Sequence, residues 1–318
     1  MWPSILNNLR ILECPKNLYK LAQDYFKDRT ASLCVNAYKT EREVKKGCSQ
    51  GSCYGPGFWN ILYNSLLSIE FTQRTEVIAF ADDLLVMTKG RSITEVENYA
   101  NQDLKKIEFW AKDSKIQFND AKSKVLLISK KRNILNEEIN IYLNNKTLQL
   151  VEELKYLGIY VDKRFTFDKH IDHIHEKAIT LIHSLSKSAK LNWGLGSKAL
   201  HTIYKGAIEP ILTYGSPVWG EGIQKKKNLK KLQRVQRLIN IKISKSYRTV
   251  SYDASCIIAG VEPIDIRIMG KVNLYKAVHG GSEYDAPLEL KDWTHPSGKM
   301  HIKEIENYKV YPIQIYID

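Results

Sequence analysis

Long apolar runs are missing from this sequence. No stretch approaches the roughly 18 residues a helix needs to cross a bilayer, and the first residues lack the basic-then-apolar order of a secretory leader. Both absences point to an intracellular chain. Cysteine is sparse: Cys14, Cys34, Cys48, Cys53 and Cys256 form no Cys-x-x-Cys pair and no zinc spacing. Their odd number and scatter suit a reducing compartment, where they act as small buried residues. No internal repeat and no low-complexity tract occurs, which sets aside solenoid and linker architectures. Acidic residues are in deficit, 35 Asp and Glu against 48 Lys and Arg, for a net charge of +13. That excess favours a polyanionic partner, nucleic acid first and acidic membrane second.

What is present is ordinary for a folded chain. The 318 residues, 43% hydrophobic and 26% charged, suffice for two or three domains with a sizeable core. The positive charge is concentrated. Residues 221–250 hold ten Lys or Arg against the single acid Glu221. Leu229, Leu232, Val235, Leu238, Ile239 and Ile243 recur there at helical spacing, which predicts an amphipathic helix with one basic face. A solvated surface helix is the plain alternative. The uniform sign favours a face turned toward nucleic acid through Lys230, Lys231, Arg234 and Arg237. A membrane-surface role has less support, because the apolar side carries no aromatic residue.

The periodicities predict an α+β region to about residue 165, a helical region to about 280, and a tail. Helices are expected over 18–26, 58–69 and 93–114, the last with Ser92 and Glu95 as a capping box. Strand or hairpin character is expected over 31–43, 124–129, 139–150 (turning at Asn144-Asn145), 154–161 and 310–316.

Two segments carry chemistry. Gly47-Cys48-Ser49-Gln50-Gly51-Ser52-Cys53-Tyr54-Gly55-Pro56-Gly57 is a glycine-rich loop that opens a helix, where backbone amides suit anions and glycines permit close approach. It is not a nucleotide-hydrolase phosphate loop, since no Gly-Lys-Ser or Gly-Lys-Thr follows. Downstream, Val77-Ile78-Ala79-Phe80-Ala81-Asp82-Asp83-Leu84-Leu85-Val86-Met87 places two carboxylates inside an apolar run read as strand, turn, strand. Charges there call for compensation, and a divalent cation is the usual one. An Asp-rich turn is the alternative.

Gln50-Gly51-Ser52 through Gly55-Pro56 to Trp59-Asn60, followed by Phe80-Ala81-Asp82-Asp83, resembles two consecutive core motifs of reverse transcriptases from insect LINE-type (non-LTR) retrotransposons of the jockey kind. Later segments continue in register. Lys122-Ser123-Lys124 resembles the next palm motif. Lys155-Tyr156-Leu157-Gly158-Ile159 resembles the primer-grip hairpin, and Ile208 through Trp219 the helical region beyond the thumb.

The resemblance implies a partial palm over 1–165, built as an antiparallel sheet with helices. A helical thumb and basic region over 166–280 would follow, then a linker and first ribonuclease H-like strand over 281–318. It assigns Asp82 and Asp83 to a two-Mg²⁺ site and Lys124 to the leaving pyrophosphate. Gln50, Gly51, Phe80 and Ala81 would line the template and nucleotide pocket, with Tyr156, Leu157 and Gly158 at the primer end. Partners would be an RNA template, a DNA primer and deoxynucleoside triphosphates, with nucleus and cytoplasm as compartments. A non-catalytic nucleic-acid-binding protein derived from such an element is the competing reading.

The chain also departs from the pattern. The family's earlier palm aspartate lies shortly before a Trp-Pro pair, and here Trp2-Pro3 follows Met1 directly. Asp24 and Asp28, the only other aspartates before the glycine loop, fall on or beside a predicted helix. At the far end, Tyr311 to Asp318 resembles an opening ribonuclease H strand, with Ile317 where a Thr is usual and Asp318 as a first ligand. A fragment cut at both ends is therefore expected, with an exposed sheet edge, weak Mg²⁺ binding and no polymerisation by the chain alone.

Overall fold

The computed structural model describes residues 1–36, 38–48, 51–129, 138–186, 195–279 and 314–317. The chain forms two compact units: Met1–Glu152 with Lys309–Asp318, and Glu153–Tyr308.

The first unit opens with α1 (Trp2–Ile11) and α2 (Lys16–Phe26), each started by a proline, Pro3 in the first turn and Pro15 at the cap. Helix α1 was not anticipated; Ile5 and Leu9 are its buried residues. Strands β1 (Thr30–Val35) and β2 (Tyr38–Glu43) form an antiparallel hairpin whose twelve residues are all exposed. Its register puts Ala31, Leu33, Val35, Tyr38, Thr40 and Arg42 on one side.

Helix α3 (Gly55–Leu67) follows the glycine loop, with Pro56 in its first turn. Strands β3 (Thr75–Phe80) and β4 (Asp83–Thr88) pair in register from Thr75↔Thr88 to Phe80↔Asp83. Helix α4 (Ile93–Ser114) has the predicted bounds. Ser92 Oγ accepts the Glu95 N–H at 3.2 Å, and Glu95 reaches back to the Arg91 N–H at 2.6 Å.

Period two then builds the core. Val77, Ala79, Leu84 and Val86 share one sheet face and join Phe58, Leu62 and Leu66 of α3 and Ala100, Leu104 and Ile107 of α4. Each fully buried Leu or Ile there contributes roughly 1.5–3 kcal/mol of transfer free energy.

Beyond α4 come β5 (Lys124–Leu126), the hairpin β6 (Tyr142–Leu143) and β7 (Lys146–Thr147), and β8 (Gln149–Val151). Asn144 and Asn145 both have positive φ, 51° and 59°, which is the type I′ turn that an Asn-Asn pair favours. The segment 124–129 is a strand only to Leu126.

The strand order among the described residues is β3-β4-β11-β5-β8, with β11 being Gln314–Ile317. Strand β3 stands at one end of that order, where an exposed edge was expected, while β4 is paired on both sides, by β3 and by β11.

The second unit begins with β9 (Glu153–Tyr156) and β10 (Ile159–Asp162). The segment 154–161, expected as one strand in its local pattern, is an antiparallel hairpin. Leu157 and Gly158 have φ of 45° and 86°, so they form its two-residue turn. The Asp162 carboxylate accepts from the backbone N–H of Arg164, Thr166 and Phe167 and from the Thr166 hydroxyl, closing the loop into α5 (Asp168–Ser186).

The rest of the described residues of this unit are mainly helical, as expected, but finely divided. It comprises α6 (Ser197–Ile203), a π turn over Tyr204–Ile208, α7 (Glu209–Thr213), α8 (Ser216–Trp219), α9 (Lys226–Ser244), α10 (Tyr252–Ala259) and α11 (Ile264–His279). The π turn lies just before Pro210, which has no N–H for the preceding turn of helix. Gln236 donates to Tyr204 Oη (2.8 Å) and the Glu262 carbonyl (2.7 Å) and accepts from Tyr252 Oη and the Ile264 N–H. This buried amide is thereby satisfied and fixes the packing of α9 against its neighbours. No helix among the described residues is long and apolar enough to cross a membrane.

Candidate active site

The Asp pair sits where the β3–β4 hairpin turns. Phe80 and Asp83 form the last cross-strand pair, leaving Ala81 and Asp82 as a two-residue loop. Ala81 has φ 54°, while Asp82 is not among the positive-φ residues, the pattern of a type II′ turn. Glycine is the usual occupant of that first position, and an alanine there stores about 1 kcal/mol or more of backbone strain.

Asp82 is exposed and Asp83 half-buried. Water can therefore solvate the first carboxylate, and burial alone does not demand a cation, contrary to the inference from the apolar run. Phe80 shares the sheet face of Asp83 and is 61% exposed, so an aromatic surface accessible to a flat ligand lies beside the acids.

Helix α3 holds this turn from behind. Trp59 Nε1 donates to the Ala81 carbonyl at 2.6 Å, and Tyr63 Oη donates to the Asp82 carbonyl at 3.4 Å. The two rings are one helical turn apart, with centroids 4.8 Å from each other. Tyr63 packs edge-on to Trp110 at 5.7 Å, and Trp110 Nε1 donates to Ser65 Oγ at 2.9 Å. Burial pushes the Tyr63 hydroxyl well above the ordinary phenol range, and the negative charges of Asp82 and Asp83 add to that. It is therefore a permanent donor at neutral pH.

The glycine loop sets the start of α3. Gly47 and Gly51 have φ of 97° and 77°, which side chains rarely tolerate. Trp2 Nε1 donates to the Gly47 carbonyl at 2.8 Å, and Ser52 Oγ accepts the Tyr54 N–H at 3.2 Å. Gln50 lies outside the described residues, as does Asp318.

The remaining predicted residues are less concentrated. Lys124 is half-buried at the start of β5, and Tyr316 pairs with both Lys124 and Leu85. Register thus puts Lys124 on the sheet face of Asp83, but about 10 Å across the strands and about 7 Å along them. Tyr156, Leu157 and Gly158 form the β9–β10 turn. The Leu157 carbonyl accepts Tyr214 Oη at 2.9 Å, and the Gly158 Cα lies so near the Tyr214 ring that a Cβ would meet it at 3.1 Å.

On α9, Lys230 and Arg234 are exposed. Lys231 pairs with Asp172, and Arg237 donates to the carbonyls of Val250 and Arg248, so these two are engaged within the fold.

Asp82 and Asp83 supply hard oxygens, and Mg²⁺ is commonly held by one or two carboxylates plus substrate phosphates. They fit one such ion. Among the described residues no group of three or more His, Cys, Asp or Glu is placed to hold a metal, so the bridged pair is not assembled from them. Asp24 and Asp28 instead line a cavity with Trp2, Arg29 and Glu43.

In the sequence Trp59 belongs to the glycine-loop motif without an assigned role, and no motif singles out Tyr63, Asp103 or Asp162. The signal was partly there: two ring donors four residues apart, upstream of an acidic turn. Asp103 is fully buried and accepts the Thr72 N–H and hydroxyl and the Lys106 ammonium, anchoring the loop that enters β3. Burial alone would raise its carboxyl; the hydrogen bonds from Thr72, Thr75 and Lys106 outweigh that and hold it below the usual range.

The structure thus places a carboxylate pair on a hairpin turn hydrogen-bonded to the helix that follows the glycine loop. The chain belongs to the reverse transcriptase (RNA-dependent DNA polymerase) family, whose model matches residues 1–161. Its relatives are proteins of insect non-LTR retrotransposons. It is 28% identical over 294 residues to a 115 kDa protein in the type-1 retrotransposable element R1DM of Drosophila melanogaster, covering 92% of this chain and 28% of that one. It is 27% identical over 243 residues to a Retrovirus-related Pol polyprotein from the type-1 element R1 of Nasonia vitripennis, 75% of this chain and 72% of that one. It is 28% identical over 236 residues to the RNA-directed DNA polymerase from mobile element jockey of Drosophila melanogaster, 70% of this chain and 24% of that one. The chain thus spans about a quarter of the length of two of these relatives. No solved structure matches it.

Proposed function

We propose that this chain is part of an RNA-directed DNA polymerase of a non-LTR retrotransposon, with residues 1–165 as a partial palm, 166–280 as thumb and downstream basic region, and 281–318 as a linker and a strand like the first of a ribonuclease H-like domain. The observation that carries this is the Asp82–Asp83 turn held by Trp59 and Tyr63 of the helix that follows the glycine loop. Asp82, exposed at the tip, is the direct ligand for Mg²⁺, and Asp83 supports it. When bound, the ion supplies charge neutralisation for the triphosphate and lowers the pKa of the attacking hydroxyl.

The protein's own residues do the rest. Gly51, with Gln50, lines the nucleotide and template pocket. Phe80 and Ala81 contribute to the same pocket. Lys124 faces the leaving pyrophosphate, and Tyr156, Leu157 and Gly158 position a primer end. The substrates are an RNA template, a DNA primer and deoxynucleoside triphosphates, in the nucleus and cytoplasm.

Mn²⁺ binding, read by water-proton relaxation with and without a deoxynucleoside triphosphate, tests the assignment. The wild-type chain is expected to hold Mn²⁺ and Asp82→Asn to lose it; equal binding by both overturns the reading.

A second reading, binding of nucleic acid without catalysis, is favoured by the exposed Lys226, Lys227, Lys230 and Arg234 of α9. It predicts affinity that falls steeply with salt and is indifferent to Asp82→Asn.

A further inference from the structure

We infer that Trp59 and Tyr63 are positioning residues for the Asp82–Asp83 turn, and that their hydrogen bonds hold a strained backbone in the one geometry that aims Asp82 outward. This rests on the polymerase reading given above.

In a two-residue hairpin loop the two central carbonyls lie outside the ladder and have no strand partner. Here both are met from one helix, the Ala81 carbonyl by the Trp59 indole at 2.6 Å and the Asp82 carbonyl by the Tyr63 hydroxyl at 3.4 Å. Those carbonyls belong to the two peptide planes that flank Asp82 and set the direction of its Cα–Cβ bond. Ala81 is the strained member, at φ 54° without being glycine. Strain of this kind persists only where neighbours over-determine the conformation.

The donors are themselves fixed. Tyr63 is 4% exposed and lies between the Trp59 ring and Trp110, whose indole is anchored on Ser65. Both hydrogen bonds act on the backbone that carries the carboxylates.

The test is a double-mutant cycle on the full chain. Trp59→Phe removes the N–H and keeps a ring; Ala81→Gly makes the turn's φ free of strain and so removes the need for a clamp. Amide hydrogen exchange over residues 78–86 is the first readout, after thermal unfolding has shown the fold intact.

Trp59→Phe is expected to speed exchange there about three- to tenfold, the range of one hydrogen bond. In the Ala81→Gly background its effect is expected to shrink below twofold. Mn²⁺ affinity is expected to fall and recover in parallel. Unchanged exchange in Trp59→Phe overturns the inference. So does faster exchange that Ala81→Gly leaves uncorrected, since that marks general packing rather than a clamp.

Should Trp59→Phe fail to fold, Tyr63→Phe, which deletes one hydroxyl, enters the same cycle with the same expected and overturning results. Mn²⁺ binding by Asp82→Asn equal to wild type would sink the polymerase reading, while the exchange cycle still decides the clamp.

Discussion

Trp59 and Ala81, 22 residues apart in sequence, are joined by a 2.6 Å hydrogen bond from indole nitrogen to backbone carbonyl. The bond ties the first turns of α3 to the tip of the acidic hairpin, so that the glycine loop, its helix and the Asp pair form one construction.

Ala81 is the position where that construction is most sensitive to side-chain shape. Ala81→Val is expected to destabilise by roughly 1–3 kcal/mol, because a β-branched residue resists positive φ. Ala81→Gly is expected to be neutral or slightly stabilising. Urea unfolding midpoints compared at a common m-value check both.

Asp103 gives a prediction in acid. Its carboxyl is held below 3.8 in the fold, so its stabilisation is fully present above that pH and is lost as pH falls through the lower folded value. Asp103→Asn is expected to cost about 1–3 kcal/mol at neutral pH and to make the acid limb shallower. Thermal melts between pH 2 and 7, about the range where carboxylates titrate, measure both effects.

His170 acts in a different window. It is 1% exposed and lies edge-on to Trp219, and Nδ1 accepts the Tyr160 N–H while Nε2 has no hydrogen-bond partner among the described residues. Burial first, then the neighbouring His173, lowers its pKa from 6.5 to about 4. The unfolded chain takes up the proton before the folded one does. Stability is therefore full above about pH 6.5 and declines as pH falls toward 4. His170→Gln, which keeps an acceptor, is expected to flatten that decline; an unaltered slope would show that His170 is not its source.

The basic helix separates into two classes. Lys230→Glu and Arg234→Glu are expected to weaken nucleic-acid binding and to lower the salt slope by about one per lost contact. Lys231→Ala and Arg237→Ala are expected to lower stability instead, because their partners are Asp172 and the carbonyls of Val250 and Arg248. Fluorescence anisotropy with a labelled oligonucleotide at several salt concentrations, alongside melts, distinguishes the two.

How much was legible in the chain follows from how local each cause is. The Ser92 cap and the Asn144-Asn145 turn were legible because both obey rules spanning four residues. The Leu157-Gly158 turn was less so: Leu is a poor residue for φ 45°, and the hydrogen bond its carbonyl accepts comes from Tyr214, distant in sequence. The Asp pair announced itself by charge within an apolar run, yet its solvent exposure depends on turn geometry that composition does not encode. The Trp59 and Tyr63 bonds depend on how α3 packs against the sheet, and the pairing of β11 between β4 and β5 joins residues 188 to 233 apart in number. No periodicity carries such information.

The β1–β2 hairpin has a practical consequence at the bench. A lone two-stranded ribbon is marginal in water, and this one turns Leu33 and Val35, 66% and 56% exposed, to the solvent on the same side as Tyr38. Sticky ribbons of this type recruit copies of themselves as concentration rises. Purified chain is best kept dilute, with mild detergent or a charged substitution at Leu33, and its sedimentation profile followed before any binding curve is taken at face value.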